Sequence, residues 1–266
     1  MAKARVVRQR VDQAYVVKTQ ALGDFDLIVT LLAENAGVIR GVARAARRSR
    51  RRFGGALEPL TRVSVRWEVR EGRDLQRIDS LEARRSYAAL QSDPVLQAGC
   101  AVLAELWTAV SREEQPDPKG FRLIGSVLDA LEKGMDPLVA VRYFEYWTLR
   151  LHGLLPELGV CHVCGRELPS RTPRFSQRGV GIVCRGCVGA VSAPAEKMAA
   201  SDFVFLETVA KQPPTRIEAE RSAVMPGGAL ELLLRGTLEA YVERRFRTYR
   251  HLYLAASGTV PGSSAR

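Results

Sequence analysis

The sequence predicts an α+β chain of several units: an N-terminal five-stranded barrel, a helical bundle, and a four-cysteine zinc-binding module inserted in the helical part. Three observations carry this. Residues 11–84 hold five short segments rich in β-branched residues, several of them alternating apolar and polar. Residues 85–152 and 194–255 space their apolar side chains at helical intervals. Between these helical stretches, Cys161-x2-Cys164 and Cys184-x2-Cys187 stand 19 residues apart in a glycine-rich segment with no helical period. A chain of 266 residues is long enough for two or three units with real cores.

The five β segments are VDQAYVVKT, FDLIVTLLAE, GVIRGVARA, RVSVRWEVR and LQRIDSLEA. In Arg62–Arg70 the side chains of Val63, Val65, Trp67 and Val69 fall on one face and the polar ones on the other, so Trp67 is expected in the core. Turn signals separate the segments at Gly23-Asp24, Asn35-Ala36-Gly37, Gly54-Gly55 and Gly72. Five strands with no long helix predict a small closed or half-open barrel, with the OB-fold as the leading candidate. This gives an N-terminal domain over residues 1–84.

Between the third and fourth strands runs GVIRGVARAARRSRRRFGGALEPL. Arg40, Arg44, Arg47, Arg48, Arg50, Arg51 and Arg52 place seven guanidiniums in thirteen residues with no acid among them. Such a block repels itself and becomes favourable only against a dense polyanion. Residues 1–80 hold 17 Lys+Arg against 9 Asp+Glu, whereas residues 81–266 hold 23 against 20. Most of the net charge of +11 therefore sits in the first third. Arginine presents a planar fork of donors suited to phosphate oxygens. The run is expected as a loop on the barrel. Lys18, Arg62 and Arg66 would extend its phosphate track along polar strand faces, and Phe53 is the expected stacking aromatic beside it.

Helical periodicity begins with Leu96, Val102, Leu103, Leu106, Trp107 and Val110. A second helix follows Pro116-Asp117-Pro118, and Gly134 closes it. Asp136-Pro137 opens a third with a cap and a first-turn proline. Phe203, Leu206 and Val209 make a short amphipathic piece, and Leu230 to Leu252 read as one long helix. The expected boundaries are 85–155 and 193–255 for the two parts of the helical domain, 156–192 for the cysteine module, and 256–266 for a disordered tail.

Each C-x-x-C turn aims two thiolates at one ion, and two such turns supply the four ligands of tetrahedral Zn²⁺. With Cys161, Cys164, Cys184 and Cys187 filling every position, the site reads as structural. A redox pair and an iron–sulfur cluster are the competing readings. His162 lies within the first turn as a bystander, and Cys100 on an apolar helix face is a core residue.

No catalytic constellation appears. The chain has three histidines and none of the nucleophile-elbow, P-loop, zincin or dinucleotide-binding motifs. Asp24 and Asp26 are a weak basis for a metal nuclease. The chain is expected to be a binding protein rather than an enzyme. It is expected to be cytoplasmic, since no secretory h-region follows the basic N-terminus and no apolar run reaches the roughly 20 residues of a bilayer span.

ARRSRRRFGGALEPL, the β-hairpin after it, and LLPELGVCHVCG with its second C-x-x-C resemble the bacterial RecO family of recombination mediators, from about Val11 to Leu254. Here arginine is nearly exclusive where family members mix in lysine, and Leu60 stands where an aromatic is usual. The resemblance implies an OB-fold, a helical domain and a zinc module. It also implies binding to single- and double-stranded DNA and annealing of complementary strands. As partners it implies RecR and the single-strand DNA-binding protein through its C-terminal tail, with loading of RecA as the outcome in recombinational repair at the nucleoid. Charge alone leaves open an RNA-binding, ribosome-associated basic barrel, a zinc-dependent transcription factor and a nuclease.

Overall fold

A computed structural model describes residues 8–69, 72, 74–169, 174–177, 180–192, 195–217 and 224–258. The expected tail beyond Gly258, Arg70 at the end of the fourth β segment, and Glu71 and Arg73 of the turn after it lie outside these residues. The chain clusters into two compact units. One comprises the described residues up to Ser92 together with Trp107–Arg122, and the other Asp93–Leu106 and the described residues from Leu123 onward.

In the first unit the five expected strands are β1 (Arg8–Leu22), β2 (Asp26–Ala33), β3 (Gly37–Ala43), β4 (Arg62–Val69) and β5 (Gln76–Arg85). They close into a barrel in the order β1-β2-β3-β5-β4. The long first strand makes closure possible, since it pairs antiparallel with both β2 and β4, and an irregularity between Val16 and Lys18 re-aims it. The only parallel pairing among these strands, β3 with β5, seals the ring through Gly41↔Gln76 to Ala43↔Ile78. Alternation puts Ala14, Val16, Val29, Leu31, Ile39, Val63, Val65, Trp67, Ile78 and Leu81 inside. Trp67 is a core residue, as its spacing predicts.

Tyr15, Trp107 and Phe121 form an aromatic cluster in the same unit, with ring centroids 4.9 to 6.2 Å apart. Nearby, Val38 N–H donates to the Arg112 carbonyl at 3.2 Å. Gly37 makes this approach possible: its φ is 67°, and a Cβ there would collide with the carbonyl oxygens of Arg112 and Gln115. Gly55 shares that φ but faces open space. We therefore expect Gly37→Ala to destabilise by roughly 2–4 kcal/mol, from the left-handed penalty plus overpacking against backbone. Gly55→Ala should cost about 1–2 kcal/mol from the backbone term alone. Urea midpoints of the two variants check this ordering.

Helices α1 (Arg50–Phe53), α2 (Pro94–Val110), α3 (Pro118–Glu132) and α4 (Pro137–Leu151) follow in order, and α2 and α3 divide between the two units. Three Asp-Pro pairs start the longer helices. Asp93 Oδ1 accepts from Val95 and Leu96 N–H, Asp117 Oδ1 from Gly120, and Asp136 Oδ1 from Leu138 and Val139. Each acid satisfies amides the helix leaves free, and the proline lacks the donor that would otherwise be orphaned.

The cysteine-bearing stretch holds strands the sequence did not suggest: β6 (Arg174–Gln177), β7 (Gly181–Val183) and β8 (Ala195–Met198) form a sheet in the order β7-β6-β8. Strand β8 occupies the start of a region read as helical. After it come α5 (Ala200–Lys211), α6 (Ala229–Tyr241) and α7 (Tyr249–Ala256). The single long C-terminal helix expected from Leu230 to Leu252 is thus two helices. Glu243 turns left-handed at φ 53°, Glu239 accepts from Phe246 N–H, and Glu105 accepts from the N–H groups of Arg247 and Thr248. Side-chain acceptors replace the helical carbonyls, so the chain can turn without losing hydrogen bonds. For Glu105, burial opposes ionisation, but the Thr248 and Arg247 donors and nearby Arg244 outweigh it and hold the carboxyl below its usual range.

A charged network lies inside the second unit. Arg142 donates to both oxygens of Glu145 at 2.6 Å and to the Tyr253 hydroxyl at 2.9 Å, and it lies 3.1 Å from Glu231. Arg235 bridges Glu231 and Glu239 at 2.8 and 2.9 Å, and Tyr249 donates to Glu145. Arg142 and Glu145 are fully buried. Burial would push the Glu231 carboxyl up, but Arg142, Tyr253, Gly227 and Arg235 hold it low.

Candidate nucleic-acid interface and metal centre

The basic run is folded back on the barrel. Beyond β3 the chain enters a turn in which Ala45 takes φ 53° and its N–H donates to Asp26 Oδ1 at 2.8 Å. Arg47 N–H donates to the Phe25 carbonyl at 3.2 Å and its guanidinium to the Asp24 carbonyl at 3.4 Å. Arg48 lays its guanidinium 3.3 Å above the Phe25 ring. Arg52 ties the turn together through Ser49 Oγ at 3.1 Å and the Arg44 carbonyl at 2.8 Å. The apolar members of the run, Ala46, Phe53 and Ala56, are buried in the barrel core. The pattern thus has two functions: its few apolar residues anchor it, and that anchoring turns most of its arginines outward.

Arg40, Arg44, Arg47, Arg48, Arg50 and Arg51 are exposed, and Arg52 is half-buried. Part of the run that was expected as a loop is the one-turn helix α1. Phe53, the expected stacking aromatic, is a core residue at 1% exposure, because a ring in a cationic run gains more from the barrel interior than from water. Phe25 is the exposed ring instead. Asp24 and Asp26, weighed as metal ligands, hold the basic turn.

Lys18 and Arg40 are brought together. Lys18 pairs with Thr30 and Thr30 with Arg40, so both cations stand in one row on the outer face of β1, β2 and β3. Arg66 is exposed on β4, opposite Val11 and Ser80 and outside that row. Arg62 is half-buried with its guanidinium 5.3 Å over the Phe121 ring, a packing position rather than a free one.

In the second unit the four cysteines converge. The first turn closes by Gly165 N–H to the Cys161 carbonyl at 2.8 Å, and the second by Cys187 N–H to the Cys184 carbonyl at 3.0 Å. His162 N–H donates to Ile182 of β7 at 2.8 Å, and Cys184 N–H points at Cys161 Sγ at 3.3 Å, which holds the two turns face to face. All four Sγ atoms lie within 4.8 Å of one another, with Cys164 and Cys184 at 3.9 Å. A tetrahedral ion with metal–sulfur bonds near 2.3 Å needs sulfurs about 3.8 Å apart, so the set fits. Burial opposes the Cys161 thiolate, but amides of Cys164, Cys184 and Val163 outweigh it and bring that thiol down to about 6. Sharing with Cys184 and Cys164 pushes Cys187 up to about 12. These are sulfurs crowded for a cation. Cys100, by contrast, is buried among apolar residues, and burial raises it to about 12.

The buried network of Arg142, Glu145, Glu231 and Arg235 escaped sequence reasoning, because its i,i+3 and i,i+4 spacings also describe ordinary surface pairs. Among the described residues, no helix is long and apolar enough to cross a membrane.

Residues 8–87 match the family model described as Recombination protein O N terminal, and residues 91–250 that described as Recombination protein O C terminal. The chain is 39% identical over 176 residues to a DNA repair protein RecO of Anaeromyxobacter sp. (strain K), covering 66% of this chain and 69% of that protein. It is 37% identical over 195 residues to that of Koribacter versatilis, covering 73% and 79%. A third, from Anaeromyxobacter sp. (strain Fw109-5), is 32% identical over 245 residues, 89% of this chain and 93% of that protein.

Proposed function

This chain belongs to the RecO family of DNA repair and recombination proteins, and from that premise we propose that it is a non-catalytic mediator that binds single- and double-stranded DNA and anneals complementary strands. With RecR it helps load RecA onto DNA coated by the single-strand DNA-binding protein. The observation that carries the reading is the arginine turn. Its cations face outward from a barrel that anchors them, with no acid among the thirteen residues from Arg40 to Arg52 to neutralise them.

The physics of annealing follows. Each phosphate neutralised by arginine releases condensed counterions, so affinity falls steeply with salt. If four to six of the run's arginines engage a duplex, the log–log slope is about −4 to −5. A surface that holds two strands also screens their mutual repulsion, and base pairing completes the reaction without a nucleotide cofactor. Lys18 lengthens the track beside Arg40, and Arg66 provides a separate contact. Arg52 and Arg62 contribute chiefly to architecture.

The four-cysteine site holds one Zn²⁺ through Cys161, Cys164, Cys184 and Cys187. With every position filled by sulfur, the ion supplies folding energy rather than an activated water.

Mixing complementary oligonucleotides with the protein tests the reading. Annealing should accelerate without ATP at low salt and lose that acceleration as salt rises. Rates equal to those of the naked strands at all salt concentrations would contradict it. Capture of RecR and of the acidic tail peptide tests the partners.

A further inference from the structure

Phe25 sits in the short connection between β1 and β2, flanked by Asp24 and Asp26, and it is 38% exposed. The other aromatics of the barrel strands and basic run, Tyr15, Phe53 and Trp67, are buried. A surface ring normally sits on a mobile tip, but this one is held. Its own carbonyl accepts from Arg47 N–H, the preceding carbonyl accepts from the Arg47 guanidinium, and the following carboxylate accepts from Ala45 N–H. One face of the ring is covered by the Arg48 guanidinium at 3.3 Å. The ring is therefore rigid, solvent-facing and set within the densest cationic segment of the chain.

We infer that Phe25 is a stacking platform for an unpaired base of single-stranded DNA, and that Arg48 is its movable cover. This rests on the DNA-binding reading above. In the free protein the guanidinium occupies the ring face that a base takes in the complex. When a strand binds, the base stacks on Phe25 and Arg48 moves to a phosphate of the same strand. The exchange is downhill in both halves. Base–aromatic stacking is stronger than a solvent-exposed cation–π pair, and a guanidinium gains more from a phosphate oxygen than from a ring. Bases in a duplex are already stacked and paired and leave the ring unused. Phe25 thus separates single strands from duplexes on a surface whose arginines alone do not.

The test measures binding of labelled oligo-dT and of a duplex over a salt series, with affinities compared at one fixed concentration. Phe25→Ala should weaken oligo-dT binding roughly 5- to 100-fold while changing duplex binding less than about twofold. Phe25→Trp should keep single-strand affinity, and its added emission over wild type should be quenched by oligo-dT but not by duplex. In the Phe25→Trp background, Arg48→Ala should shallow the oligo-dT salt slope by about 0.7, leave the duplex slope unchanged and keep that quenching. Unchanged oligo-dT affinity in Phe25→Ala overturns the inference, as does an equal loss on both substrates in a variant that melts like wild type. If wild-type protein binds neither substrate, the DNA-binding reading fails with it. If wild type binds both with a steep salt slope and Phe25→Ala is indifferent, the stacking platform alone fails.

Discussion

Replacing Cys184 with serine should abolish stoichiometric zinc binding and lower the unfolding midpoint of the cysteine-bearing unit by roughly 8–16 °C. The segment around the cysteines has strands of three or four residues, too short to bury a core of their own. Its sulfurs are already within 4.8 Å of one another, so the ion joins a site that the fold has assembled. A ligand present at a thousand times its dissociation constant stabilises by about 4 kcal/mol, and each kcal/mol moves the midpoint of a unit this size by about 2–4 °C. Cys100→Ala should leave zinc content unchanged, because Cys100 lies in the apolar core away from the cluster. Metal measured by mass spectrometry and melting followed by calorimetry report both effects. Equal zinc in Cys184→Ser and wild type would remove the site. Binding should also release protons. The ion takes thiolates, and among these crowded thiols Cys187 is held up by sharing with Cys184 and Cys164, so protons must leave as it binds. Affinity therefore rises with pH.

Replacing Arg142 with methionine should destabilise the second unit by about 3–5 kcal/mol, or roughly 6–20 °C in midpoint. The arginine holds Glu145 and Glu231, both buried, and its removal leaves Glu145 without its cation and Glu231 with Arg235 alone. A paired variant, Arg142→Met with Glu145→Gln, should recover part of the loss, since one orphaned charge is removed with its partner. Loss below about 1 kcal/mol in the single variant would mean that the network is wetter than its burial implies. The pH dependence has a definite sign. Glu231 is held below its unfolded value by Arg142, Tyr253, Gly227 and Arg235, against the pull of burial. Its contribution is therefore complete above the unfolded carboxylate pKa and is lost as pH falls through the folded one. Acid should narrow the gap between wild type and Arg142→Met.

Strand alternation made the barrel legible, because Val63, Val65 and Trp67 have one place to go. Cysteine spacing made the cluster legible, because few uses require two C-x-x-C turns. Other features depend on contacts that sequence does not display. The helix break after Tyr241 needs Glu105, 142 residues before the Arg247 amide it caps. The apolar period runs on through Phe246 and Tyr249 because both are buried, although they lie beyond the left-handed Glu243. Strands β6 to β8 are too short to show a period. That Phe53 is buried and Phe25 exposed depends on which ring fits the barrel interior, and position beside the arginines does not reveal it. Arg142 and Glu145 carry a surface signature and sit in the core.

The most direct test of the account is the salt dependence of duplex and single-strand binding in a variant with Arg40, Arg44, Arg50 and Arg51 changed to alanine. These four are exposed, while Arg47 and Arg52, which hold the turn, and Arg48, which covers Phe25, remain. The account predicts wild-type melting, weaker binding, and a duplex log–log slope shallower by about 3 to 4. A folded variant with the wild-type slope would contradict it and place the DNA elsewhere on the molecule.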